Sequence, residues 1–247
     1  MTETTHIGMS LATSLQRQLD MTANNIANAS TAGYKGEHMV FESLVQKGTP
    51  AGEDAANFVS DTGSYIDTRP GAMSQTGNPL DMALNGDGWF GYRMPDGQMS
   101  YGRDGSFTLD TDGNLTVLSG ARVLDQGGAP IALPTEGIGA LIVSEDGTIS
   151  AEGTGPLARI GVFDIPEIQS YRRVGGGMLL PPEGAAAPTP AAATQVLQGV
   201  LELSNVNPIR EMTRMIEVQR AYERTNALIG NSDTLRRDAL RRIGQAV

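Results

Sequence analysis

Small or apolar residues near the start recur at Ala12, Leu15, Leu19, Thr22, Ile26 and Ala29, alternately three and four apart, which places all six on one helical stripe. Only three of them are large aliphatics, so a single helix built on this stripe is marginal in water and needs a partner. The far end of the chain supplies the matching signal. Asn207 predicts an N-cap and Pro208 the first helical position, where a missing N–H costs nothing. Met212, Met215, Ile216, Tyr222 and Ile229 then form an apolar side of one long helix, with Gly230 and Asn231 as a weak point before its last turns.

Between the two ends the period changes. “SFTLDTDGNLTVLSGARVLD” and “ALIVSEDGTISAEG” alternate over short runs broken by Asp-Gly and Ser-Gly pairs, the pattern of strands joined by tight turns. A β-rich region is predicted from about Asn78 to Ile168, with further extended pieces to Glu202. The reading is therefore α+β in four parts: a helix in 1–35, an extended connector in 36–77, a β-rich domain in 78–202 and a helix in 203–247. The connector has no sustained period, and 175–193 is a Gly/Ala/Pro-rich loop.

Composition fits irregular, turn-rich architecture, since Gly (31) and Pro (13) are abundant and only 39% of the 247 residues are hydrophobic. The formal charge of −10 is uneven: residues 31–206 hold nine basic against 21 acidic groups, whereas 207–247 hold eight Arg against five acids. An acidic body repels phosphate backbones and argues against a nucleic-acid partner, the Arg-rich end notwithstanding. No apolar run reaches the length of a membrane span, and “RRDALRR” has too small an apolar side for insertion. The opening residues lack the basic and continuous apolar regions of a cleaved signal. The chain has no cysteine, which removes disulfides and thiol chemistry.

Motifs for chemistry are sparse. With two histidines and no cysteine, a His/Cys zinc cluster cannot be assembled. “DTDGNL” (Asp110, Asp112, Asn114) opens like a calcium loop, but its Gly stands at the fourth position and Leu115 at the sixth, so it reads as a β-turn. “NGDGWF” matches neither phosphate loop nor dinucleotide fingerprint and reads as a turn before a strand bearing Trp89 and Phe90. No nucleophile and base are grouped, which argues against an enzyme, and no cofactor is implied. A secreted β-rich carbohydrate-binding or adhesin module is the alternative outside an assembly role, weakened by 5% aromatic content.

Three separated stretches resemble one family. “NNIANASTAGYK” is similar to the N-terminal signature of the flagellar basal-body rod proteins, matching at Asn24, Asn25, Ile26, Ala27, Asn28, Thr31, Gly33, Tyr34 and Lys35. “LELSNVNPIREMTRMIEVQRAYE” resembles the C-terminal signature through Ser204, Asn205, Val206, Met212, Ile216, Gln219, Arg220 and Tyr222, and “TGNPLDMALNGDGWF” with “YGRDGSFTLDTDGNL” resembles the central region. Length, “GNPLDMALNGDGWF” and Pro208 after “SNVN” look most like the proximal-rod branch; distal-rod members resemble it closely but usually carry an apolar residue where Pro208 stands.

The resemblance implies a structural subunit whose terminal helices pair as a coiled coil and stack helically into a tube, with the β-rich domain outside. It implies other rod subunits and the flagellar type III export apparatus as partners, export without a cleaved signal, and a place in the rod across the periplasm. The assembly interface it implies comprises Leu15, Leu19, Asn24, Asn25, Ile26, Asn28, Gly33 and Tyr34 in the N-terminal signature. On the C-terminal helix it comprises Asn205, Asn207, Pro208, Met212, Met215, Ile216, Gln219 and Tyr222. Asparagines at 24, 25 and 28 lower helix propensity, so they are expected to bond neighbouring helices and fix register, to cap the helix end near Gly33, or to be solvated surface.

Overall fold

The computed structural model describes residues 2–45, 57–134, 140–151, 153 and 155–244. Helix α1 (Thr2–Ala27) is followed by β1 (Glu37–Val45), β2 (Asn57–Ile66), β3 (Met73–Gln75), β4 (Met82–Asn85), β5 (Trp89–Arg93) and β6 (Met99–Gly102). Next come β7 (Phe107–Leu109), β8 (Leu115–Val117), β9 (Arg122–Val123), β10 (Leu141–Val143), β11 (Thr148–Ala151) and β12 (Gly155–Arg159). The chain continues through β13 (Val162–Asp164), β14 (Arg172–Arg173), β15 (Leu179–Leu180), β16 (Thr189–Pro190), β17 (Gln195–Gln198) and β18 (Val200–Glu202) to helix α2 (Pro208–Gly244). Two helices flanking a middle of short strands make the protein α+β.

Two compact units form. The first takes the chain through Ala27, residues 37–65, and everything from Asn207. In it α1 packs on α2 and β1 pairs with β2. The segment 36–77, whose sequence shows no sustained period, thus carries strands, because pairing between distant segments supplies the backbone partners that local pattern does not reveal. Asn207 caps α2 as its side chain predicts, its Oδ1 accepting from the N–H groups of Ile209 and Arg210 at 3.1 Å each. The helix then runs on through Gly230 and Asn231, where the sequence suggests a weak point; Thr234 Oγ1 donates back to the Gly230 carbonyl at 2.9 Å.

The second unit comprises residues 28–36 and 66–206. Its main sheet runs β14-β15-β6-β5-β9-β8-β7, with β13 added on β5 and β16 on β13; β10-β11-β12, β17-β4 and β18-β3 form smaller antiparallel sheets. Met82, Leu84, Phe90, Tyr92, Phe107 and Leu115 anchor the larger core and Trp89, Tyr101 and Phe163 a second cluster, so that β4, β5 and β8 are buried at successive positions and β5 serves both clusters. The predicted Asp-Gly turns are present. Between β7 and β8, Gly113 takes φ +82°, which a Cβ would strain, and Asp110 accepts from the backbone N–H of Asp112 and Asn114 and from Asn114 Nδ2 at 2.8–2.9 Å. That carboxylate is engaged by its own turn, which lowers its pKa chiefly through the Asn114 bond.

Candidate functional site

The N-terminal signature divides between the units. Asn25, 1% exposed near the end of α1, lies in the first unit and grips the backbone of Glu37 on both sides, accepting from its N–H at 3.0 Å and donating to its carbonyl at 2.8 Å. The same Nδ2 reaches Glu211 Oε2 on α2 at 3.3 Å. One amide therefore joins α1, β1 and α2. Glu211 is itself 6% exposed in the first turn of α2, where the helix dipole favours a carboxylate. Arg214 approaches both Glu211, at 3.8 Å, and His38 Nδ1, at 3.1 Å.

At the opposite end of the same helix pair, a Cβ built on Gly8 would stand 2.9 Å from Ile229 Cγ1. With Asn25 against Glu211 and Gly8 against Ile229, α1 and α2 run antiparallel. Among the described side chains of α2 the buried positions are Glu211, Val218 and Thr225, seven residues apart, with Met215 and Tyr222 half-buried between them and Ile229 half-buried beyond. Among the described side chains of α1 the buried positions are Ser14, Leu15, Thr22 and Asn25, so the inner face lies toward Gln18 and Asn25 rather than centring on Leu19 and Ile26, which are half-buried. Polar residues can occupy this face because their bonds are made: Thr22 donates to the Gln18 carbonyl at 2.8 Å and Thr225 to the Ala221 carbonyl at 2.9 Å. Met212 (51% exposed) and Ile216 (52%) lie off this face, as does Ile209 (74%). Gln219, Asn207, Pro208 and Asn24 are also exposed.

The rest of the signature builds the second unit. Asn28 closes a turn by accepting from the Thr31 N–H at 3.1 Å and from Thr31 Oγ1 at 3.3 Å. Gly33, at φ +65°, lies so close to Arg103 that a Cβ would fall 2.1 Å from its carbonyl carbon, so no other residue fits. Its N–H donates to the Glu202 carbonyl at 2.7 Å. Tyr34, 1% exposed, holds the Arg173 guanidinium 4.5 Å over its ring, and Arg173 Nη2 donates to the Lys35 carbonyl at 2.5 Å. The signature glycine and tyrosine are thus engaged inside this unit.

Lys35 and Glu202 form its most buried ion pair, 2.6 Å apart with side chains 2% and 0% exposed. Lys35 also donates to the Arg69 carbonyl at 2.9 Å, and Glu202 accepts from Gly71 N–H at 3.0 Å and from Arg103 Nη1 at 3.3 Å. Arg103 in turn donates to the Gly86 carbonyl at 2.6 Å and lies 5.3 Å over Trp89. Burial pushes the Lys35 ammonium below its ordinary pKa against the opposing pull of Glu202. Asn205 completes a clasp: its Oδ1 accepts from Gly36 N–H at 2.8 Å, while Nδ2 donates to the carbonyls of Asp67 and Arg69 at 2.8 and 3.0 Å. Sequence reasoning singles out Asn205 but not Glu202, Arg103, Glu211, Val218 or Thr225. The sevenfold spacing of the last three was available in the sequence, masked by their polar members.

Each of these contacts holds structure together. Comparison with known proteins agrees: the flagella basal body rod protein model matches residues 7–35, the flagellar hook protein FlgE/F/G D1 domain 83–151, and the flagellar basal body rod FlgEFG protein C-terminal model 197–242. The chain is 36% identical over 244 residues to the flagellar basal-body rod protein FlgF of Caulobacter vibrioides, covering 97% of each. The chain belongs to the flagellar basal-body rod protein family. Similarity to FlgF of Mesorhizobium japonicum is 34% over 244 residues and 99% of each chain; to the rod protein FlgG of Bacillus subtilis it is 31% over 252 residues, 92% of this chain and 94% of that one. This rod-family chain is a structural subunit of the flagellar basal body, associates with other rod components, and is not an enzyme.

Proposed function

We propose that the chain is a proximal-rod subunit of the drive shaft that carries motor torque, assembled helically through its terminal helices. Relatives named FlgF at 33–36% identity, beside those named FlgG at 31–32%, and Pro208 after “SNVN” support the proximal over the distal segment. Within each subunit α1 and α2 form an antiparallel coiled coil, with Leu11, Leu15, Gln18, Thr22 and Asn25 facing Thr225, Tyr222, Val218, Met215 and Glu211 in that order; the alternation of three and four on both helices and the Asn25–Glu211 bond support it.

The observation that carries the assembly reading is the second apolar set on α2. Ile209, Met212 and Ile216 are more than half exposed on a helix whose inner face α1 already covers. Neighbouring subunits cover them, by heterologous contacts that repeat along a helix without closing. Asn24, Gln219, Asn207 and Pro208 are exposed as well and open to the same neighbours. The family resemblance supports the remaining assignments: a rod spanning the periplasm, reached through the flagellar type III export apparatus without a cleaved signal.

The test is the full-length double variant Met212→Gln/Ile216→Gln. It should unfold at the temperature of the parent while abolishing motility, and normal motility would remove these residues from the interface. Complementation separates the two rod segments: the chain should restore swimming to a strain lacking the proximal-rod subunit and not to one lacking the distal-rod subunit.

A further inference from the structure

The clasp joins residues far apart in sequence on which the second unit depends as a whole. Lys35 precedes Glu202 by 167 positions and Arg103 precedes it by 99; Gly36 precedes Asn205 by 169. In a chain that emerges N-terminus first, both cations and the strands between them are present long before the carboxylate that neutralises them. Without Glu202, Lys35 and Arg103, 2% and 4% exposed in the complete unit, would both lose the carboxylate they touch, leaving only the weaker pull of Asp67 on Lys35 and of Asp87 on Arg103. Before residues 202–205 are present, the N–H groups of Gly33 and Gly71 lack Glu202 as acceptor, that of Gly36 lacks Asn205, and β3 lacks the end of β18.

We infer that the second unit folds all at once and only after residues 202–205 have been added, with Glu202 as the keystone of a single cooperative unit rather than a late strap on a finished β-domain. Residues 66–201 then stay unfolded until the chain has reached Asn205, just before α2 begins at Pro208, so a chain cut before the clasp never displays a stable outer domain. Burial of the cations sets the order: core strands gain apolar contact by closing, but closing around two unpaired charges opposes that gain until the anion arrives.

Native-state hydrogen exchange on the full chain tests this. Two sets of amides are followed: Gly33, Gly36 and Gly71 in the clasp, and Leu115 and Leu124 in the core, which donate to the carbonyls of Ile131 and Gly91. In the parent the sets should agree within about tenfold in protection, as one opening unit requires. Glu202→Gln, which keeps volume and an acceptor but removes the charge, should lower both sets together by about a hundredfold or more. The inference is overturned if the clasp amides of the parent exchange a hundredfold faster than the core, or if Glu202→Gln frees the clasp and leaves the core protected. Should Glu202→Gln fail to fold, Asn205→Ala, which retains the carboxylate, reads the same alternatives: joint loss in both sets supports cooperative closure, and loss in the clasp alone refutes it.

Discussion

Asn25 holds both backbone groups of Glu37, at 3.0 and 2.8 Å, so a helix side chain serves as the hydrogen-bonding partner that a neighbouring strand would otherwise be. This answers why an asparagine is kept where it weakens the helix. Replacing it with Ala should raise the helicity of an isolated α1 peptide yet lower the stability of the intact protein by about 2 kcal/mol, since Glu37 loses two partners and Glu211 a third. Asn28→Ala, which removes the acceptor of the Thr31 N–H and hydroxyl within its own turn, gives the comparison. Urea unfolding of the two variants measures the difference; equal losses would show that Asn25 acts only locally.

Gly8 and Ile229 test the packing of the helix pair. The 2.9 Å approach to Ile229 Cγ1 leaves little room for a Cβ, but Ala also regains about 1 kcal/mol of helix propensity over Gly. Gly8→Ala should therefore be near neutral. Gly8→Val should destabilise by about 1–3 kcal/mol, as overpacked contacts do. Ile229→Ala should recover part of that loss in the double variant, a coupling that thermal unfolding of the four proteins measures and that vanishes if the helices do not meet there.

What the sequence made legible was local. The Asn207 cap and Pro208 start lie within one turn of each other, and the Asp112-Gly113 turn is closed by residues four apart, so each carries its whole explanation in a short window. The Lys35–Glu202 pair spans 167 positions and joins two charges of ordinary appearance, and nothing in a single sequence couples them. The inner helix face was half legible for a different reason. Apolar periodicity finds Leu15 and Tyr222, but Thr22, Asn25, Glu211 and Thr225 are buried with their polar groups bonded, and hydrophobicity discards them. Met212 and Ile216 fail in the opposite sense: apolar, yet outside the intrachain face.

The pair Tyr34 and Arg173 separates packing from charge. Arg173→Lys keeps the positive charge but loses the planar group over the ring and the bond to the Lys35 carbonyl. It should destabilise the second unit by about 1–2 kcal/mol, and Tyr34→Phe, which keeps the ring face, by less. Denaturant midpoints check the order; a larger loss for Tyr34→Phe would assign the stability to the phenol hydroxyl instead.

Asp104 gives the protein a pH dependence with a definite sign. Burial, reinforced by the nearby Asp81 carboxylate, raises its pKa from 3.8 to about 6, against the pull of the Ser106 N–H that its Oδ1 accepts at 3.0 Å. A carboxyl that holds its proton more tightly when folded imposes no penalty below pH 3.8. Between pH 3.8 and about 6 the folded state binds more protons than the unfolded state, so this group's contribution to stability falls as pH rises, and the penalty is complete above about 6. Asp104→Asn keeps an acceptor for the Ser106 N–H and removes the charge. It should therefore stabilise the protein at pH 7.5 by up to about 3 kcal/mol, the equivalent of two pKa units, and leave it unchanged near pH 3.5. Urea unfolding of parent and variant across that range yields the difference curve directly. A stability gain that is flat with pH would mean that Asp104 titrates alike in the folded and unfolded chains.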